Sequence, residues 1–256
     1  MADTSILSNL MSVVVKEHAA DPAEYLLASS ASVNQDLLFV HEGEGSATCR
    51  LCCPKHYPWS YHMHAGKSSS GPELAEYKRN LKCPMFPCKP CCYQTLYVVD
   101  GQTKDEIGWV REEFWVTVPT FSVRDNTGHV LLYLHHETCC TGLFFDCCLG
   151  GCCLLQPFQM YHVNPSNGRS AEEGDGQVSH KLASPSSLLG GPHSFEVTFP
   201  VQAANTHRDK VLLLGASWLI NELYYKPFCG GCECSERCAC CYEQAFRCRK
   251  CLPGRR

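Results

Sequence analysis

The chain has 256 residues, 45% hydrophobic content and a net charge of −4. That length allows one large folded domain with a sizeable core, and the near-balanced charge gives no reason to expect nucleic acid as a whole-chain partner. The 21 cysteines are the outlier. The first residues carry Asp3, no basic n-region and an interrupted apolar run, so the bulk of the chain is expected to face the cytosol, where structural disulfides are rare. The thiols come largely in adjacent pairs, from Cys52–Cys53 to Cys240–Cys241. Neighbouring cysteines rarely pair with each other, which leaves metal ligation, thioester acylation and small-residue packing.

In chain order, Ile6, Leu7, Leu10, Met11, Val14 and Val15 recur at helical spacing. They predict a short amphipathic helix in an appended segment 1–24, packed on its own domain or on a partner or membrane surface. Tyr25–Val40 reads as strand, turn, strand, with the turn near Asn34–Asp36. Trp59, Tyr61 and Met63 then alternate with Ser60, His62 and His64, as the two faces of a strand do. His62 and His64 are either metal ligands beside Cys52–Cys53 or the wet face of that strand. Lys67–Pro72 is a Ser/Gly/Pro loop.

The central block predicts many short strands. Tyr93–Val99 leads into the turn dipeptide Asp100-Gly101, and Ile107–Val110 and Phe114–Val118 follow. Phe121–Arg124 and His129–His135 flank Asp125-Asn126-Thr127-Gly128, a hairpin signal. Phe158–Val163 continues the pattern, Asn164–Gly176 reads as a polar loop, and Gln177–Leu182 and Phe195–Phe199 are the last strands.

Next comes Asp209–Lys226, with Asp209 as a candidate N-cap and Pro227 as a stop. Val211, Leu212, Leu213, Leu214, Trp218, Leu219 and Ile220 leave it no wet face before Asn221 and Glu222. A helix apolar all round is buried in protein or lies in a membrane. Val211–Tyr225 would span about 22 Å, against a hydrocarbon core of about 30 Å. Roughly ten to twelve short strands before one such helix predict a closed antiparallel sheet with the helix as its filling, spanning 25–227.

Beyond it, residues 228–256 form a basic, cysteine-rich tail. Cys229 and Cys232, then Cys248 and Cys251, have the spacing of a four-thiolate zinc site. Acylation, and disulfides if the helix spans a bilayer, are the competing uses of the tail. No ordered nucleophile, base and orienter can be read from the chain, so covalent catalysis is not expected.

Three stretches together resemble the phospholipid scramblase family. They are Arg79–Gln94 (RNLKCPMFPCKPCCYQ), Ile107–Leu134 (IGWVREEFWVTVPTFSVRDNTGHVLLYL) and Phe195–Tyr225 (FEVTFPVQAANTHRDKVLLLGASWLINELYY). The resemblance implies a tubby-like fold, a twelve-stranded barrel around a C-terminal helix. It implies calcium-triggered, ATP-independent movement of phospholipids between leaflets of a plasma membrane or endomembrane. It also implies palmitoylation, here at Cys83, Cys88, Cys91 and Cys92. Two departures stand out. Pro87 and Lys89 occupy positions where the family has cysteines. In the segment matching its calcium site, Gly191–Gln202, only Glu196 is acidic, whereas calcium takes six to eight oxygens. The alternative expectation is a palmitoyl-anchored binding or signalling protein without transport, attached to a phospholipid membrane and to other proteins.

Overall fold

A computed structural model describes residues 5–17, 24–32, 36–43, 57–80, 93–114, 118–135, 157–163, 170–181, 194–201 and 206–225. Its twelve strands close into one antiparallel barrel. They are β1 (Ser12–Glu17), β2 (Glu24–Ser29), β3 (Asp36–Glu42), β4 (Trp59–Ala65), β5 (Glu73–Arg79) and β6 (Thr95–Asp100), then β7 (Glu106–Glu112), β8 (Thr120–Asp125), β9 (Val130–His135), β10 (Phe158–Val163), β11 (Ser170–Lys181) and β12 (Ser194–Thr198). Neighbours in sequence are neighbours in the sheet, and β1 pairs with both β2 and β12. Closure leaves no free edge.

Inside runs the apolar helix α2 (His207–Ile220), continued by a π-helical turn over Asn221–Tyr225. Lys210 through Ile220 are all buried. A twelve-stranded barrel is wider than the roughly eight strands whose own side chains fill the interior, and the helix supplies what is missing. Trp218 is its largest contribution, packed edge-on against Tyr25 at 4.8 Å and Phe195 at 5.4 Å, and tilted against Tyr61 at 5.2 Å. Gly215 marks the closest approach, since a Cβ there would lie 3.0 Å from Val98 Cγ2 and 3.3 Å from the Tyr77 ring. The helix is therefore core, and lipid does not surround it.

The helix start differs from expectation in detail. Thr206 is the N-cap, and Asp209 is the third helical residue. The Thr206 hydroxyl accepts from the Asp209 amide, and the Asp209 carboxylate accepts from the Thr206 amide and hydroxyl. This is a capping box, the arrangement favoured when an acidic residue stands three after a Thr.

The N-terminal segment is a larger correction. Among its described residues Ser5–Ser8 alone are helical (α1), and Ser12–Glu17 form the strand that closes the barrel. The barrel therefore begins at Ser12, well before Tyr25. Val13, Val14 and Val15 are consecutive β-branched residues, stiff at χ1 and suited to a pleated surface, and they outweigh the apparent helical period. A second correction concerns 164–176, expected as a loop. From Ser170 onward the chain is strand β11, paired with β10 through two register shifts, with Gly176 at φ 116°. Bulges of this kind hide a strand from sequence patterning. Phe114, expected in a strand, follows the end of β7 and is 68% exposed.

Candidate functional site: the cysteine-bearing mouth of the barrel

Because every pairing is antiparallel, the connections alternate between two ends. The N-terminal segment, the turns 66–72, 101–105 and 126–129, and the start of α2 lie at one, the turn end. The other end, the mouth, is where β3, β5 and β9 finish, β4, β6 and β10 begin, and α2 points its C-terminus. Each of the 21 cysteines falls in a segment joined at the mouth. Cys49, Cys52 and Cys53 stand between β3 and β4. Cys83, Cys88, Cys91 and Cys92 stand between β5 and β6. Cys139 through Cys153 stand between β9 and β10, and Cys229 through Cys251 follow α2. The predicted acylation and zinc residues themselves lie outside the described residues.

The inner rim of the mouth is built by alternation. Trp59 and Tyr61 on β4 and Arg79 on β5 point inward, Trp59 directly opposite Arg79. Arg79 is 2% exposed. Its Nη2 donates to the Tyr57 carbonyl at 2.8 Å, and its guanidinium lies 5.2 Å from the Trp59 ring centre and 5.7 Å from that of Tyr57. Burial lowers the Arg79 pKa, and the Glu222 carboxylate is the first of the charges that oppose the shift. Guanidinium nonetheless stays protonated. The Tyr61 hydroxyl donates to Glu222 Oε1 at 2.6 Å, and burial, then the same carboxylate, hold that phenol well above its usual range. At the same end, the Glu112 carboxylate accepts from the Gln94 backbone amide at 3.2 Å. The aromatic pair Tyr93–Phe114, 6.5 Å between ring centres, brings an exposed apolar side chain to this end. All of the rim groups except Phe114 are buried, so the rim seals the barrel and holds the helix end in place.

The other site residues read from the sequence separate clearly. Val211, Leu212, Leu213, Leu214, Trp218, Leu219 and Ile220 are buried barrel filling. No helix among the described residues is long and apolar enough to cross a membrane. Glu196, the one acidic residue of the expected calcium segment, stands on β12 opposite Val14 and Ser179, and neither of these offers a carboxylate.

A third group lies on the outer face of β3–β5, and sequence reasoning found only half of it. His62 and His64 do share the outer face of β4, as alternation required. His41 of β3 stacks on both, at 5.3 and 5.1 Å between ring centres. The missed residues are His41, Glu73 and Glu76. Residues three apart in a regular strand face opposite ways. A register shift pairs His62 with Glu76 but His64 with Glu73, so the extra residue, Leu74, turns into the core and both carboxylates face outward. His62 Nδ1 is 2.8 Å from Glu73 Oε1, and its Nε2 is 3.9 Å from Glu76 Oε1. Lys104 reaches both carboxylates, at 2.8 and 3.6 Å, and Lys78 reaches Glu76 at 2.9 Å. Burial pushes the Glu73 carboxyl up, but hydrogen bonds from Lys104 and His62 outweigh it and leave it below the usual range.

Comparison of the chain with protein-family models, with curated proteins and with solved structures finds no match.

Proposed function

We propose that the protein is a membrane-attached binding protein of scramblase-like build, anchored by acylated cysteines at the mouth of its barrel. One observation carries this reading: the chain reaches all of its cysteine-bearing segments from a single end of the barrel. One acyl chain gives marginal attachment and two or more give a stable anchor, at about 0.8 kcal/mol per buried methylene. Thiols on segments joined at one end let several chains enter the same leaflet without turning the protein over. Exposed Phe114 lies at that end. Lys82 and Lys89 flank the expected acylation sites Cys83, Cys88, Cys91 and Cys92 and add attraction to an anionic cytosolic leaflet.

The outside of the barrel argues against immersion in lipid. His41, His62, Glu76, Lys78, Arg111 and Arg124 occupy outward positions, where a lipid-facing barrel carries a continuous apolar band. The inside argues against a route through the lumen, since Trp218, Tyr61, Tyr77 and the helix leucines fill it. Lipid movement between leaflets, the activity the resemblance implies, would therefore need a surface path.

The test is membrane partition of the full chain expressed in cells, with and without thioester cleavage by hydroxylamine. A chain with Cys83, Cys88, Cys91 and Cys92 all changed to Ser is compared with it. The expected result is hydroxylamine-sensitive attachment, lost in the fourfold variant while its melting temperature stays that of the parent. Unchanged attachment in that variant would overturn the assignment to these four thiols. The purified acylated chain, placed in vesicles with a labelled phospholipid, is expected to leave the leaflets unmixed with and without calcium. Rapid mixing would favour the transport reading instead.

A further inference from the structure

We propose that His62, Glu73 and Glu76 form a binding site for a divalent first-row transition metal ion on the outer face of β4–β5, and that the Lys104 ammonium holds the cation seat when no metal is bound. The inference is independent of membrane attachment.

The geometry comes first. One ligand atom from each of the three residues lies within 4.8 Å of the other two. A four-coordinate ion with ligands at about 2.0–2.2 Å keeps its donor atoms roughly 3.3–3.6 Å apart. The two short His62–carboxylate separations, 2.8 Å from Nδ1 to Glu73 and 3.9 Å from Nε2 to Glu76, run from opposite ring nitrogens, and one ion takes only one of them. Gathering the set on one ion takes a turn of the imidazole or of a carboxylate about its side-chain bonds, with one His62 nitrogen as the ligand. The backbone already favours the site, since the Leu74 bulge puts both carboxylates on the face that carries His62.

Donor chemistry selects the ion. Two carboxylates and an imidazole suit manganese, zinc or ferrous iron. They are too few oxygens for calcium, which takes six to eight. His64 stands on the same outer face, two residues along β4. It is 9% exposed and donates its Nδ1–H to the Gly71 carbonyl, and its Nε2 meets no partner among the described residues. Its ring is stacked on His41, which is itself stacked on His62.

The second argument is that the seat already holds a cation. Lys104 Nζ sits 2.8 Å from Glu73 Oε2 and 3.6 Å from Glu76 Oε2. The residue that delivers it stands in the left-handed region, at φ 61°, the only non-glycine residue to do so among the described residues. Side chains with a Cβ avoid that region. The β6–β7 turn holds it there. Asp100 Oδ1 accepts from the amides of Gln102 and Thr103, and the Asp100 carbonyl accepts from the Lys104 amide. A divalent ion would enter by displacing an ammonium, so that one cation replaces another and the carboxylates stay neutralised throughout.

The test uses the full chain with its thiols alkylated, which removes the sulfur ligands. Mn2+ is the probe, because it favours carboxylate and imidazole donors. Free Mn2+ is read from its EPR amplitude, and its position from paramagnetic broadening of the imidazole resonances. We expect one saturable site that broadens His62 first. Glu76→Gln and Glu73→Gln should each weaken binding by about tenfold or more. Lys104→Met should tighten it severalfold, an effect that an ordinary surface ion-pair network would not produce. Binding that persists unchanged in both Gln variants overturns the assignment, as does an absence of binding in both the parent and the Lys104→Met chain. Melting curves identify a variant that fails to fold, and the remaining two then decide.

Discussion

The two ends of the barrel are built from different chemistry. At the turn end the chain reverses in short polar connections, the helix begins in a reciprocal cap, and Lys210 ties α1 down through the carbonyls of Leu7 and Leu10 at 3.0 and 2.8 Å. No cysteine falls in any segment joined at that end. At the mouth the described rim is aromatic and charged, and every cysteine of the chain is joined there. The contrast separates two duties. The turn end fixes the architecture, and the mouth presents chemistry that the architecture does not need.

The comparison can be broken in three places, beginning with the largest effect. Trp218→Ala removes the ring that packs against Tyr25, Tyr61 and Phe195. It should cost about 3–5 kcal/mol, read as a fall in the denaturant midpoint with the slope unchanged. A loss near zero would mean that the helix does not hold the barrel together. Lys210→Met comes next. It takes the ammonium from the carbonyls of Leu7 and Leu10, of which Leu7 keeps the Leu10 amide as a donor, and should cost about 1–3 kcal/mol. Amide exchange should rise first in α1 and β1. If exchange rises at the mouth instead, the assignment of stability to the turn end fails.

The smallest effect is a pH dependence at the turn end. Burial, and secondarily Arg208, lowers the His207 pKa below its usual value of 6.5, although Asp100 opposes the shift. A histidine with a depressed folded pKa binds fewer protons when folded than when unfolded. Its contribution is therefore present above pH 6.5 and declines as the pH falls from there through the folded value. His207→Gln should flatten the slope of thermal stability in that window, and an identical slope would remove His207 from the account.

Much of this fold was legible in the sequence because its signals are local. Trp59, Tyr61 and Met63 alternate without interruption, Asp125–Gly128 is an open turn signal, and a helix without a wet face has few places to go. What stayed hidden required pairing information. Val13–Val15 belong to a strand only because β12 and β2 lie on either side of them. Glu73 and Glu76 share a face only because of a bulge that shows in the register against β4. The rim partners Arg79 and Glu222 stand far apart in the chain and carry no motif. That every cysteine-bearing segment joins the barrel at one end is a topological fact, since no spacing along the chain reveals that alternate connections leave from the same side.

The contact between Lys210 and Leu7 spans 203 positions of the chain, and β1 pairs with β12 near the far end of the sheet. The strand that closes the barrel leaves the ribosome before the other described strands and must wait for almost the last described element before it can settle. Pairings this distant in sequence slow folding. During synthesis, Val13, Val14 and Val15 remain without one of their two strand neighbours until the cysteine-rich connections have all emerged. The newborn chain thus passes through a long interval with an apolar strand edge exposed, and a chaperone that shields extended apolar segments would find its substrate there.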